Sequence, residues 1–167
     1  MGKSLFLTVI YVVCSLCYMA AQGLVNVKHY SVKDGMSQNT VQGVLQDNEG
    51  YIWMATWNGL EKFDGYSFKN YKTYPTDKVK LQYNRLVNLQ LGGNQMLVCQ
   101  SYDRRVYLFD IRRECFEDVF AYHPEVKLCT AASKIITLPN GMVWIVGTNG
   151  DLWRIDCFRY KDKGGLV

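Results

Sequence analysis

The chain has 167 residues, 49% hydrophobic and 14% aromatic against 20% charged, with a formal net charge of +4. That composition can bury a core and does not belong to the disordered class. Basic residues are scattered, with Arg104-Arg105 and Arg112-Arg113 as the only adjacent pairs, which excludes nucleic acid as a partner of this segment.

Residues 1–21 read as an export signal. Lys3 gives the positive start, residues 5–19 an uncharged, mostly apolar run, and Ala20-Ala21-Gln22-Gly23 the small residues where a signal peptidase cuts, after Ala21 or within two residues of it. An apolar run of about 15 residues falls short of the ~20 that span a bilayer as a helix. Neither Cys14 nor Cys17 follows the small residue that a lipoprotein signal requires. Cleavage leaves 18 basic and 15 acidic side chains, a net charge of +3.

Residues 22–40 form a lead-in. Within it, residues 24–32 alternate Val25, Val27 and Tyr30 with polar neighbours, as an outer strand lent to the last blade of a ring does. From there the chain repeats itself. Phe63-Asp64, Phe109-Asp110 and Ile155-Asp156 are each 46 residues apart, a period in the range of a four-stranded propeller blade.

The first copy with its connector, residues 41–85, carries strands expected over 41–46, 51–56, 60–63 and 66–71. They are separated by Asp47-Asn48-Glu49-Gly50, Asn58-Gly59 and Asp64-Gly65, residues that tolerate positive φ or hydrogen-bond their own backbone. Residues 51–55 are apolar throughout, as in a strand covered on both faces, whereas 66–71 mix in polar residues like an outer strand. The second copy, residues 86–132, is degenerate, with strands expected over 86–91, 95–100, 106–109 and 115–120. Leu97 is expected to take the place that Trp53 and Trp144 hold in the other copies, filling the space between blades. The third copy, residues 133–167, has strands expected over 133–138, 142–147 and 152–155; residues 157–160 remain for an outer strand and 161–165 read as the start of a linker.

The expected fold class is therefore all-β: an incomplete β-propeller of about three four-stranded antiparallel blades behind a signal peptide. Three blades are fewer than the four or more that close a ring. The chain is accordingly expected to be a truncated product or a fragment of something longer, with open strand edges and an apolar terminal face that invite association.

Asp34-Gly35-Met36-Ser37-Gln38-Asn39-Thr40-Val41 and the run from Asp47-Asn48-Glu49-Gly50-Tyr51-Ile52-Trp53 to Asn58-Gly59-Leu60-Glu61-Lys62-Phe63-Asp64-Gly65 resemble the start of the two-component regulator propeller. This is the periplasmic sensor of hybrid two-component systems by which glycan-degrading Gram-negative bacteria detect oligosaccharides. The likeness is strongest in the first copy and weakest in the second. Ala55 stands where the repeat usually has glycine, which Gly147 keeps. The resemblance implies a periplasmic location, an oligosaccharide ligand, and a dimer whose packing the ligand biases. It also implies a longer parent with a second propeller, an immunoglobulin-like segment, a membrane helix, a histidine kinase, a receiver and a helix-turn-helix domain. This sequence carries no phosphoacceptor-helix pattern and no nucleotide-binding box, so the chain by itself is expected not to be an enzyme.

His29 and His123 have no partner at ligand or triad spacing. Asp64, Asp110 and Asp156 directly follow strands, which favours turn capping over metal ligation. Asp47-Asn48-Glu49-Gly50 lacks the later oxygen ligands and closing glutamate of a calcium loop. Cys99, Cys115, Cys129 and Cys157 form no zinc or redox motif; they are read as core filler, with no bridge assigned. No catalytic residue, metal or cofactor is expected. For a ligand, Trp57 lies beside a loop, where its flat face suits the C–H face of a pyranose, although packing between blades competes with that role. Tyr83, Tyr102 and Arg104 are further loop candidates. A secreted propeller lyase or hydrolase acting on glycans requires converging carboxylates or a Tyr–His pair, which these turn-bound acids and isolated histidines do not supply. A protein-binding propeller is the third alternative.

Overall fold

The computed structural model describes residues 2–19, 26–77, 79, 81–118 and 131–158. Helix α1 (Gly2–Met19) takes up the N-terminal apolar run, and Leu5, Phe6 and Tyr11 on it are exposed. Among the described residues no helix is long and apolar enough to cross a membrane. The expected cleavage position lies outside the described residues, as do His123, Cys129 and the linker over 161–165.

The lead-in has no partner strand among the described residues. Its described part, residues 26–31, is not a strand, and Val32–Asp34 is a 3-10 turn capped reciprocally by Ser31 and Asp34. A strand needs a neighbour's N–H and C=O groups, and no described strand pairs with this segment. Tyr30 instead packs edge-on against Phe63 and Phe68, at ring-centroid distances of 4.9 and 5.7 Å.

The hairpin turns read from the sequence fold the rest into three antiparallel meanders. The first sheet holds β1 (Val41–Gln46), β2 (Ile52–Thr56), β3 (Gly59–Phe63) and β4 (Phe68–Tyr71). The second holds β5 (Leu86–Leu91), β6 (Met96–Ser101), β7 (Val106–Asp110) and β8 (Cys115–Asp118). The third holds β9 (Ala132–Thr137), β10 (Met142–Gly147) and β11 (Leu152–Asp156). Of the outer strand expected over 157–160, Cys157 and Phe158 lie in a turn and the remainder is outside the described residues. The molecule is an all-β, incomplete propeller-like stack.

Two apolar layers bind the sheets. Trp53, Ala55, Leu60 and Tyr71 of the first sheet meet Leu89, Leu97, Cys99 and Phe109 of the second. The opposite face of the second sheet, with Met96, Val98, Val106 and Leu108, meets Val143, Ile145 and Ile155 of the third. Period-two alternation thus buries β6 on both faces, whereas the far face of the third sheet carries Ile136 and Leu152 exposed beside half-buried Trp144. Gly43 on β1 lets β5 approach closely: a Cβ there would lie 3.4 Å from the Leu89 backbone nitrogen.

Register settles which residues are equivalent. Trp53 pairs with Lys62, two residues before Asp64, and Trp144 pairs with Arg154, two residues before Asp156, so the tryptophans hold matching places. In the second sheet the residue paired two before Asp110 is Val98, opposite Leu108. The expectation that Leu97 replaces Trp53 is therefore corrected. A shift of one residue turns a strand side chain to the other face, and Leu97 points back at the first sheet rather than on to the third.

The three periodic aspartates cap turns. Asp64 accepts from the Tyr66 and Ser67 nitrogens at 2.8 and 2.7 Å, Asp110 from those of Arg112 and Arg113 at 2.9 and 3.1 Å, and Asp156 from Phe158 at 3.0 Å. The backbone bonds from Ser67 and Tyr66 hold the Asp64 carboxyl below its ordinary range. Asp47 ties its turn to the core as well: it accepts from the Glu49 and Tyr51 nitrogens and from buried Trp53 Nε1 at 2.7 Å. Each of two third strands latches the segment entering its own sheet. Glu61 Oε1 accepts from the Ser37 nitrogen, and Tyr107 Oη accepts from the Gln82 nitrogen at 3.2 Å. Cys99 and Cys157 are buried thiols and Cys115 is half-buried; none of the three is bridged. Burial pushes Cys99 well above, and Cys157 up to about 11 from, the usual thiol value.

Candidate functional site

The two ends of the stack differ. At one end the second strand of each sheet turns into the third, next to the chain entering that sheet. Three equivalent backbone bonds join these segments: Trp57 to the Thr40 carbonyl at 3.3 Å, Tyr102 to Arg85 at 2.9 Å and Thr148 to Ala131 at 2.9 Å. Trp57 and Tyr102 therefore occupy the same position in successive sheets. The Trp57 turn is held by Thr56 Oγ1, which donates to the Gly59 carbonyl and accepts from the Asn58 nitrogen. Gly59 is required there: its φ is +104°, and a Cβ would come within 2.3 Å of the Tyr71 carbonyl oxygen.

Between the two aromatics lies Arg85. Its guanidinium carbon is 4.3 Å from the Trp57 ring centroid and 5.6 Å from that of Tyr102. Both distances are within cation–π range. Trp57 is 40% and Tyr102 61% exposed, so the rings brace the cation while keeping surface open to solvent. Among the described residues the Arg85 guanidinium makes no hydrogen bond or ion pair. Asp103, which follows Tyr102 in the sequence, is engaged by Ser101 Oγ and by Arg105 Nε at 3.4 Å.

Of the four residues singled out in the sequence, the structure brings Trp57 and Tyr102 together around Arg85. Tyr83, 49% exposed, stands two residues before Arg85 and makes none of the ring contacts found among the described residues. Arg104 contributes through its backbone: at φ +66° its carbonyl accepts from the Ala132 nitrogen at 2.9 Å, clipping the second sheet to the third. Sequence reasoning missed Arg85. The available signal was positional, since Arg85 precedes the first strand of the second copy as Thr40 precedes that of the first.

At the other end, the turns of all three sheets enclose a groove of about 430 Å³ lined by Glu49, Gln95, Arg112, Leu138 and Phe158 among others. Its polar groups are committed to one another: Arg112 Nε donates to Gln95 Oε1, and Gln95 Nε2 lies 3.5 Å from Glu49 Oε1. Phe158 lies across Gly93 and Gly141, whose missing side chains make room for its ring. On the outer edge Glu114 accepts from Tyr71 Oη at 2.7 Å and pairs with Lys69 at 2.5 Å, joining the first two sheets. The Lys69 and Tyr71 bonds lower the Glu114 pKa, and burial with the Glu114 bond raises that of Tyr71.

No family model matches the chain. Over 54 residues, 32% of this chain, it is 41% identical to histidine kinase P4 of Formosa agariphila, and it spans only 4% of that relative's length. Among solved structures, it superposes on the extracellular domain assigned to the hybrid two-component system BT3049 of B. thetaiotaomicron with a TM-score of 0.65 at 22% identity, covering 83% of this chain and 19% of that one. The extracellular domain of BT4673 from the same organism gives a TM-score of 0.54 at 23% identity, covering 80% of this chain and 16% of that one. By fold, this chain is similar to about a fifth of the extracellular domain of a hybrid two-component system, and by sequence a third of it is similar to part of a histidine kinase.

Proposed function

We propose that this chain is part of the extracytoplasmic sensor of a hybrid two-component histidine kinase and response regulator, and that it binds oligosaccharide breakdown products. In this reading residues 1–21 are an export signal, and residues 41–85, 86–132 and 133–167 are successive blades that further blades and signalling domains of a longer parent complete. The carrying observation is the pair of exposed aromatic faces, Trp57 and Tyr102, set at equivalent turns of adjacent sheets. Flat apolar rings with polar neighbours suit the C–H faces of pyranoses. The fold likeness to extracellular sensor domains and the short kinase likeness support the signalling context. A ligand acts on such a sensor only through its different affinity for two arrangements of the protomers, here the packing of a homodimer in the periplasm.

Titrating the protein with a panel of oligosaccharides, read by calorimetry and by thermal melting, tests this. Saturable binding that weakens in Trp57→Ala is the expected result. Failure of every saccharide class to bind overturns it.

A further inference from the structure

We infer that the rim reads acidic saccharides: Arg85, braced between Trp57 and Tyr102, receives an anionic group of the sugar, a carboxylate or a sulfate, while the flanking rings take the sugar faces. This deepens the proposed function and rests on it.

Three observations converge. The guanidinium lies against both rings, which bias its placement before any ligand arrives. Its donors are uncommitted among the described residues, and Asp103, which follows Tyr102 in the sequence, is taken by Ser101 and Arg105. The aromatics that hold it remain 40% and 61% exposed, which leaves the cation accessible at their edge. A planar guanidinium presents parallel N–H groups that match two oxygens of one anion, and holding it rigid lowers the ordering cost of binding. Neutral sugars offer hydroxyl acceptors to this fork but no negative charge to complement it. Arg112 in the opposite groove differs on this point, because Gln95 already occupies its Nε.

The experiment uses the full chain and isothermal titration with three probes of equal length: uronate oligosaccharides, their carboxyl-reduced neutral counterparts, and sulfated neutral oligosaccharides. Acidic probes are expected to bind roughly 10- to 100-fold more tightly than the neutral one, the worth of a hydrogen-bonded charge. Arg85→Gln is expected to remove that preference, Arg85→Lys to keep part of it, and added salt to reduce it. The better acidic probe identifies the anion.

Equal binding of neutral and acidic probes, unchanged in Arg85→Gln, overturns this inference and leaves the proposed function standing. So does a variant that binds all three probes equally weakly with a lowered melting temperature, which marks Arg85 as glue between sheets. If no saccharide of any class binds, both the inference and the proposed function fall.

Discussion

Replacing Asp47 tests how a turn residue secures the core. Its Oδ2 accepts from Trp53 Nε1 at 2.7 Å, and its Oδ1 accepts from the Glu49 and Tyr51 nitrogens at 2.9 and 3.0 Å. Trp53 is fully buried against Tyr71 and Phe109, so in Asp47→Ala its Nε1 donor loses its acceptor within the core. A buried donor left unpaired costs ~1–3 kcal/mol, and the two turn bonds add ~0.5–1.5 each, partly recovered by solvent at the exposed end. A total of about 3 kcal/mol follows, or about 6–12 °C in melting temperature for a chain of this size. Asp47→Asn keeps a carbonyl for the turn but sets an amide N–H₂ against the indole N–H, and is expected to cost about 1–3 kcal/mol. The assay is thermal and urea unfolding by far-ultraviolet circular dichroism, repeated in a Trp53→Phe background, where the cost of Asp47→Ala should fall by ~1–3 kcal/mol. The reasoning is refuted if Asp47→Ala costs the same in both backgrounds, or if neither Asp47 variant lowers stability.

Gly59→Ala forces a side chain into a φ of +104° and against the Tyr71 carbonyl; a loss of about 2 kcal/mol or more is expected in the same unfolding assay. Leu97→Ala and Val98→Ala should couple to opposite neighbours, Leu97 to Trp53 and Val98 to Ile145, and double-mutant cycles that reverse this pattern contradict the register. Glu114 has a folded pKa below its ordinary value of 4.5, so its contribution is complete above that pH and is lost as pH falls through the lowered value. Glu114→Gln should therefore flatten the acid limb of the stability profile, by no more than about 1 kcal/mol because the pair is largely exposed. Alkylation of the native protein followed by peptide mapping should label Cys115 ahead of Cys99 and Cys157, whose thiols burial keeps protonated; faster labelling of Cys99 contradicts its place in the core.

The local parts of this structure were legible because turns are written in single residues. Asp47 to Gly50, Asn58-Gly59 and Pro139-Asn140-Gly141 each fix a reversal through side-chain capping or positive φ, and the strands between them fall within one or two residues of expectation. The capping role of Asp64, Asp110 and Asp156 was legible for the same reason. Two readings depended on a partner. Residues 24–32 alternate as a strand does, yet the described part has no described strand to pair with. Leu97 is apolar like Trp53, but a one-residue register difference turns it to the other face.

At the candidate site, Trp57 and Tyr102 were recognisable as aromatic residues beside turns, and Arg85 was not. Nothing local marks one exposed arginine among 19 basic side chains.

The sequence by itself determined that this is an all-β repeat with a 46-residue period and capped hairpins, because those depend on backbone sterics and on period-two patterning within each copy. Only the tertiary structure decided which faces meet, which sheet Leu97 serves, and that Trp57 and Tyr102, 45 residues apart, close on Arg85. Those facts belong to the stacking of one sheet on the next, and stacking is set by long-range packing that no short window of the chain contains.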